Sequence, residues 1–311
     1  MKTKIWIALL ALYIVWGSTY LAIRFSVETI PPFLHAALRF FISGAILFIW
    51  RRMAGDPAPT LSNWKSTAIV GAGLLLGGNG LVAWAEQSVP SGIAALMIST
   101  SPFWLVLFES LRVGGAKPTW RSIIGLIVGF GGVFILIGPA EIMGGEGRFD
   151  TFGIILLLLA PLFWSLGSIY ARGADMPKST LLGTGMEMLM GAAALFVVSL
   201  VKGELNGFSF GLVSMRSWLG LAYLITFGSL VGFVSYGYLL HNAPISLTST
   251  YAYVNPVVAV FLGNFFANEP LNARILLASA IIIGSVVFIN TARQTRVKTG
   301  PLQAVPADGD D

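Results

Sequence analysis

Ten apolar runs, most about 20 residues long and each bounded by charge, glycine, proline or turn residues, follow one another through almost the whole chain. A run of that length crosses the hydrocarbon core of a bilayer as a helix, because in lipid every backbone polar group must be satisfied within its own segment. The boundaries place helices at about 5–24, 32–50, 66–86, 91–111, 120–138, 151–171, 179–201, 217–240, 246–267 and 273–291. Composition agrees, with 56% apolar and 11% charged residues, where a globular protein carries about 25% charged. The fold class expected is an all-α polytopic membrane protein with ten transmembrane helices, and a soluble enzyme with a large core is excluded.

With the N-terminus inside, the cytoplasmic segments hold Lys2, Lys4, Arg51, Arg52, Lys65, Arg112, Lys117, Arg121, Arg172, Lys178, Arg293, Arg296 and Lys298. Arg24, Arg39, Arg148, Lys202, Arg216 and Arg274 fall on the other side, with Glu141, Glu146 and Asp150 in one of its loops. Thirteen against six of the 19 cations is a positive-inside bias that puts both termini in the cytoplasm. The scattered cations form no basic stripe, so no nucleic-acid partner is expected. Zero cysteines exclude disulfides, thiolate metal sites and thiol nucleophiles.

The chain repeats itself. Trp16 and Arg24 recur 148 positions later as Trp164 and Arg172, and Ala45 and Phe48 as Ala193 and Phe196. A shift of 154 carries Pro90 onto Pro244 and Pro102 onto Pro256. Each repeat holds an odd number of helices, so the copies cross the membrane in opposite senses, the construction of alternating-access transporters. The expected organisation is a first five-helix repeat over 1–145, an inverted second repeat over 146–293, and a solvated, disordered cytoplasmic tail over 294–311, where proline and glycine replace aliphatics.

Three segments carry a resemblance: Val15-Trp16-Gly17-Ser18-Thr19-Tyr20, Val89-Pro90-Ser91-Gly92-Ile93-Ala94, and Tyr251-Ala252-Tyr253-Val254-Asn255-Pro256-Val257 followed by Glu269-Pro270-Leu271. They resemble the EamA-type family of the drug/metabolite transporter superfamily, nearest to its YedA-like branch, over nearly the whole chain to about Thr291. The resemblance implies ten helices, a central cavity, a bacterial-type inner membrane, and export of amino acids or related small metabolites.

Corresponding helices interrupted by proline are the best sequence pointer to a transporter's binding site. Pro102 and Pro256 each remove a backbone donor inside a span and are expected to break it. Ser101 and Trp104 in the fourth helix, and Tyr253 and Asn255 in the ninth, flank these breaks. Trp16, Tyr20 and Arg24 form one stripe of the first helix, and Trp164, Ser168 and Arg172 one of the sixth. Asn79 of the third helix and Tyr236 of the eighth complete the candidate cavity. Interfacial anchoring or core packing is the competing reading for the tryptophans, and snorkelling to headgroups for Arg24 and Arg172.

Arg39 and Glu187, equivalent in the two repeats and opposite in charge, are expected to form an intramembrane ion pair. Gly73-x-x-x-Gly77 and Gly125-x-x-x-Gly129 allow close helix approach, within one chain or between two, so the protein is expected to be a monomer or a homodimer.

There is no H-E-x-x-H, no Walker-type phosphate loop and no G-x-S-x-G. Every aspartate lies in a loop or the tail, so an intramembrane aspartyl protease lacks its acids. No enzymatic activity, metal or cofactor is expected. The partners expected are a small-molecule substrate and the lipid bilayer, with proton coupling left open. An importer or facilitator of another metabolite is the alternative within transport, and an intramembrane enzyme or non-transporting receptor the rival class.

Overall fold

The computed structural model describes residues 2–111, 117–137, 150–243, 245–248 and 250–299, and every extended element among them is helical. Arg112, Glu141, Glu146, Arg148, Pro244 and the tail from residue 300 lie outside the described residues. The helices are α1 (Lys2–Ser26), α2 (Pro32–Met53), α3 (Leu61–Ala85), α4 (Ser91–Leu111), α5 (Trp120–Ile137), α6 (Thr151–Ala171), α7 (Thr180–Val201), α8 (Met215–Leu239), α9 (Tyr251–Ala267) and α10 (Ala273–Thr299). Eight carry an apolar stretch long enough to cross a membrane, while Tyr251–Ala267 and the apolar part of the last helix, Ala273–Ile289, are shorter. The chain is a multi-pass membrane protein. Its last helix continues through Thr299, past the expected repeat boundary at 293.

Local chemistry starts these helices where the sequence changes character. Pro32 supplies the fixed φ that suits the first position of α2. Thr60 and Asn63 form a reciprocal capping box for α3, each side chain accepting from the other's backbone at 3.1 Å. Asp150 caps α6 by accepting from Phe152 and Gly153, and Ser214 caps α8 by accepting from Ser217.

Two stretches depart from α geometry in equivalent places. Ala72–Gly80 in α3 and Leu224–Val231 in α8 are π-helical, and each helix is the third of its repeat. Such turns are rare and concentrate at functional positions.

The packing is reciprocal. α2 lies along α7 and α5 along α10, so each of these helices meets its own counterpart. α1 packs on α8 and α9 of the second half, while α6 packs on α3 and α4 of the first. That exchange fits two inverted five-helix units. Small residues permit it: a methyl on Gly44 would lie 2.9 Å from the Gly185 carbonyl, and one on Gly73 would lie 2.9 Å from Gly167 Cα. Gly125 and Gly129 face Ile289 and Phe103. Both glycine motifs are therefore consumed inside the chain.

Two long-range carboxylate contacts stitch one end of the bundle, the end carrying Arg24. Glu204, in the loop after α7, accepts from the backbone of Phe33 and Leu34 at 3.3 and 2.9 Å. Asn268, at φ 51, ends α9 in the left-handed region and turns the chain back. Glu269 then accepts from the backbone of Ser91 and Gly92 at 2.7 and 3.0 Å. Each acid thus holds the otherwise unpaired N–H groups at the start of a helix in the first half, where a negative charge is favoured. Ile23, Val27, Val82, Val89, Ile93, Ile154 and Leu157 form a dense apolar layer at the same end.

Candidate functional site

Between the two halves lies a cavity of about 220 Å³. α1 contributes Trp16, Thr19, Tyr20 and Ile23, α2 contributes Arg39 and Phe40, and α3 contributes Gly78, Asn79 and Val82. α4 brings Ser99, Ser101, Pro102 and Leu105, α6 brings Pro161 and Trp164, and α8 and α9 close the ring with Phe233, Tyr251, Asn255 and Pro256. Helices of both repeats therefore share one space.

The two tryptophans are seated in corresponding ways. Trp16 donates from its indole nitrogen to the Gly228 carbonyl, 3.1 Å away in the π-helical stretch of α8. Its ring stands edge-on to Phe233 and Tyr251, with centroids 5.4 and 5.1 Å away. Trp164 presses on the π-helical stretch of α3, where a methyl on Gly78 would lie 2.9 Å from its ring.

The interruption in α4 falls at Ser99–Thr100, between Ser91–Ile98 and Ser101–Leu111, so Pro102 sits in the first turn of the second piece. Ser99, Thr100 and Ser101 bond their hydroxyls back to Leu96, Met97 and Ile98 carbonyls at 2.6–2.7 Å. Ser165 of α6 donates to the Ser101 carbonyl at 3.1 Å. The hydroxyl of Ser101 thus serves its own helix. Pro256 does not break its span: it lies inside the continuous Tyr251–Ala267, which is preceded by a turn at Thr250. Thr250 there donates to Leu247 O at 2.5 Å and bonds the Tyr13 hydroxyl of α1.

Asn79 donates to Leu74 O at 3.2 Å within its own π-helical stretch. Asn255, its amide oriented to meet acceptors with its nitrogen, donates to Tyr251 O at 3.1 Å and Tyr13 O at 3.3 Å, tying α9 to α1.

Four expected cavity residues lie elsewhere. Trp104 turns to α5, its ring beside Phe108 and Phe130 at 6.1 and 5.9 Å. Tyr253 packs on the Phe103, Val106, Val286 and Ile289 cluster facing α10. Both sit about a third of a turn from the cavity-facing side of their helices, a phase that proline spacing alone leaves open. Ser168 bonds back to Trp164 O at 2.7 Å, one turn beyond the cavity. Tyr236 supports the wall from behind, 5.4 Å from Trp16 and 5.9 Å from Tyr251.

The expected Arg39–Glu187 ion pair is absent. Arg39 Nε donates to Ser229 Oγ at 3.1 Å, its guanidinium lies 4.7 Å from the Phe40 ring, and it lines the cavity. Glu187 is half-buried without a hydrogen bond or ion pair. The physical reason is the crossing of α2 and α7, which meet through Gly44, Gly185 and Met188, while Arg39 lies more than a turn away and leans on α8. The arginines at the stripe ends do not simply reach headgroups either. Arg24 donates to the Glu86 carbonyl at 2.5 Å, and Arg172 pairs with Glu109 at 3.0 Å. The carboxylate of Glu86 is wholly buried with no hydrogen-bond partner, within electrostatic reach of Arg24, Arg39 and Glu269.

Sequence reasoning missed Arg39, Phe40, Pro161 and Tyr251 as lining residues. Pro161, a third mid-span proline, was the available signal for one of them.

A multi-pass helical bundle with an aromatic-walled cavity between two repeats is the architecture of a membrane transporter of small molecules. The chain belongs to the EamA-like transporter family, whose model matches residues 3–138 and again 151–291. It is 36% identical over 287 residues to the uncharacterized inner membrane transporter YedA of Escherichia coli K12, covering 92% of this chain and 90% of that one. It is 25% identical over 304 residues to the uncharacterized transporter YoaV of Bacillus subtilis, covering 95% and 99%. A solved crystal structure of a protein shares the fold at a TM-score of 0.61 and 20% identity, covering 96% of this chain and 99% of its own.

Proposed function

We propose that the protein is a secondary transporter that exports amino acids or related amphipathic metabolites by alternating access around this cavity. The observation that carries the reading is the ring of Trp16, Trp164, Phe40 and Tyr251 with Asn79, Asn255 and Arg39, contributed by both repeats around about 220 Å³. Aromatic walls take the apolar part of a ligand and a few fixed polar groups orient its ends. Rocking of one repeat against the other would alternate access. With both termini cytoplasmic, as the charge bias favours, the apolar layer and the two carboxylate stitches close the outer end in this state.

Reconstitution tests the reading. Proteoliposomes loaded with a panel of labelled amino acids, with and without a pH gradient, should release at least one faster than protein-free vesicles. Release of none removes the amino-acid assignment. Because the chain has no cysteine, Ser62→Cys and Thr151→Cys report sidedness in intact cells. An impermeant thiol reagent should label the second and spare the first, and the reverse pattern inverts the orientation.

A further inference from the structure

Arg39 is the permanently charged side chain among the described residues lining the cavity. It is 5% exposed, makes no ion pair, and forms one hydrogen bond, from Nε to Ser229 Oγ at 3.1 Å. Ser229 is itself 0% exposed and held in the π-helical stretch of α8. Beside it Gly228 leaves the guanidinium room, since a methyl there would lie 3.2 Å from Arg39 Nη2. The Phe40 ring takes one face of the guanidinium at 4.7 Å. Glu86 lies in electrostatic reach without touching it.

These contacts fix the plane of the guanidinium and leave its two Nη atoms without a partner in the protein. Arginine cannot shed its proton, and enclosed donors that meet no acceptor are costly. The Nη edge offers two parallel N–H donors, the geometry a carboxylate matches with both oxygens. The remaining walls are neutral, and Trp16 and Trp164 offer apolar faces to the rest of a ligand.

We propose that Arg39 is the carboxylate-recognition residue of the cavity, so that its ligands are small organic acids, monoanionic or zwitterionic, with an apolar body. This deepens the transport reading and rests on the same cavity. Ser229 acts as a positioning residue that holds the fork in plane.

The test compares ligands that share a carbon skeleton and differ at one end. L-Leucine, L-phenylalanine, 4-methylpentanoate and 3-phenylpropionate, with the primary amide and methyl ester of each, are titrated against detergent-purified protein by tryptophan fluorescence and thermal shift. At least one free acid should bind about tenfold or more tighter than its amide and ester, as a charge-assisted pair requires. Arg39→Gln should erase that ratio, and Arg39→Lys, which keeps the charge and loses the fork, should restore part of it. Ser229→Ala should weaken acids more than amides. Amides or esters that bind as tightly as every acid, or binding of none of the twelve compounds, overturn the proposal. The ligand ratio is read on unmutated protein, so misfolding of a variant cannot decide the matter. Amino-acid efflux with no preference for the free carboxylate leaves the transport reading standing and removes the role of Arg39. Selective binding of 4-methylpentanoate or 3-phenylpropionate without amino-acid efflux does the reverse.

Discussion

The indole nitrogen of Trp16 reaches across the repeat boundary to the Gly228 carbonyl at 3.1 Å, fastening the cavity wall of α1 to the π-helical stretch of α8. Gly232, one turn on, makes this approach possible, because a methyl on it would collide with the same nitrogen. Gly232→Ala should therefore displace the indole rather than merely stiffen the helix. Overpacking of this kind costs about 1–3 kcal/mol. Purified Gly232→Ala should melt several degrees lower and show shifted tryptophan emission, and an unchanged melt and spectrum would show that the ring has room to move.

Asn255 and Trp164, compared, separate architecture from binding. Its amide ties α9 to α1 through Tyr251 O and Tyr13 O, so Asn255→Ala should lower stability by about 1–3 kcal/mol as well as transport. Trp164→Phe keeps a ring against Gly78 and should change substrate preference more than the melting temperature. Flux ratios for two substrates, measured beside thermal melts, check both. Equal flux ratios in Trp164→Phe and the unmutated protein would show that Trp164 is wall without selectivity.

Arg39 and Glu187 should behave as strangers. The structure gives them no contact, so Arg39→Gln and Glu187→Gln should combine additively, within about 0.3–0.5 kcal/mol in a double-mutant cycle. Exchanging the two residues should rescue nothing. A coupling larger than about 1 kcal/mol would mean that the pair forms after all.

Asp150 gives a pH-dependent prediction outside the membrane. The Ser88 hydroxyl, and then the Gly153 and Phe152 amides, hold its carboxyl below the usual carboxylate range. A depressed value in the folded state means the contribution is present above the unfolded value of about 3.9 and fades as pH falls through the folded one. Asp150→Ala should cost about 1 kcal/mol near neutral pH. The gap from the unmutated protein should close below about pH 4. A gap independent of pH would assign the loss to packing.

The helix count, the repeat and the aromatic character of the cavity were legible in the residues because hydrophobic run length and recurrence are properties of the sequence itself. Trp16 and Trp164 were picked out by stripe and by repeat, and Asn255 by its place beside Pro256. Helical phase was not legible around the prolines, where Trp104 and Tyr253 turned outward. Nor was the environment of Arg39: equivalence by repeat gives two residues the same place in their own units, and only the crossing of α2 with α7 decides whether they meet.

If the halves rock as proposed, the carboxylates of Glu204 and Glu269 would also set a resting population. Opening the Arg24 end by rocking the halves apart would withdraw two acids from four backbone donors at Phe33, Leu34, Ser91 and Gly92. Each such bond to a charged group is worth about 1.5–3 kcal/mol, and interfacial water returns only part of it. An empty carrier would therefore dwell closed at that end. A ligand speeds the switch only by the free energy with which it prefers the other state. On the alternating-access reading the two glutamates would thus act as a threshold, set far from the cavity, on how well a substrate must fit before it is moved.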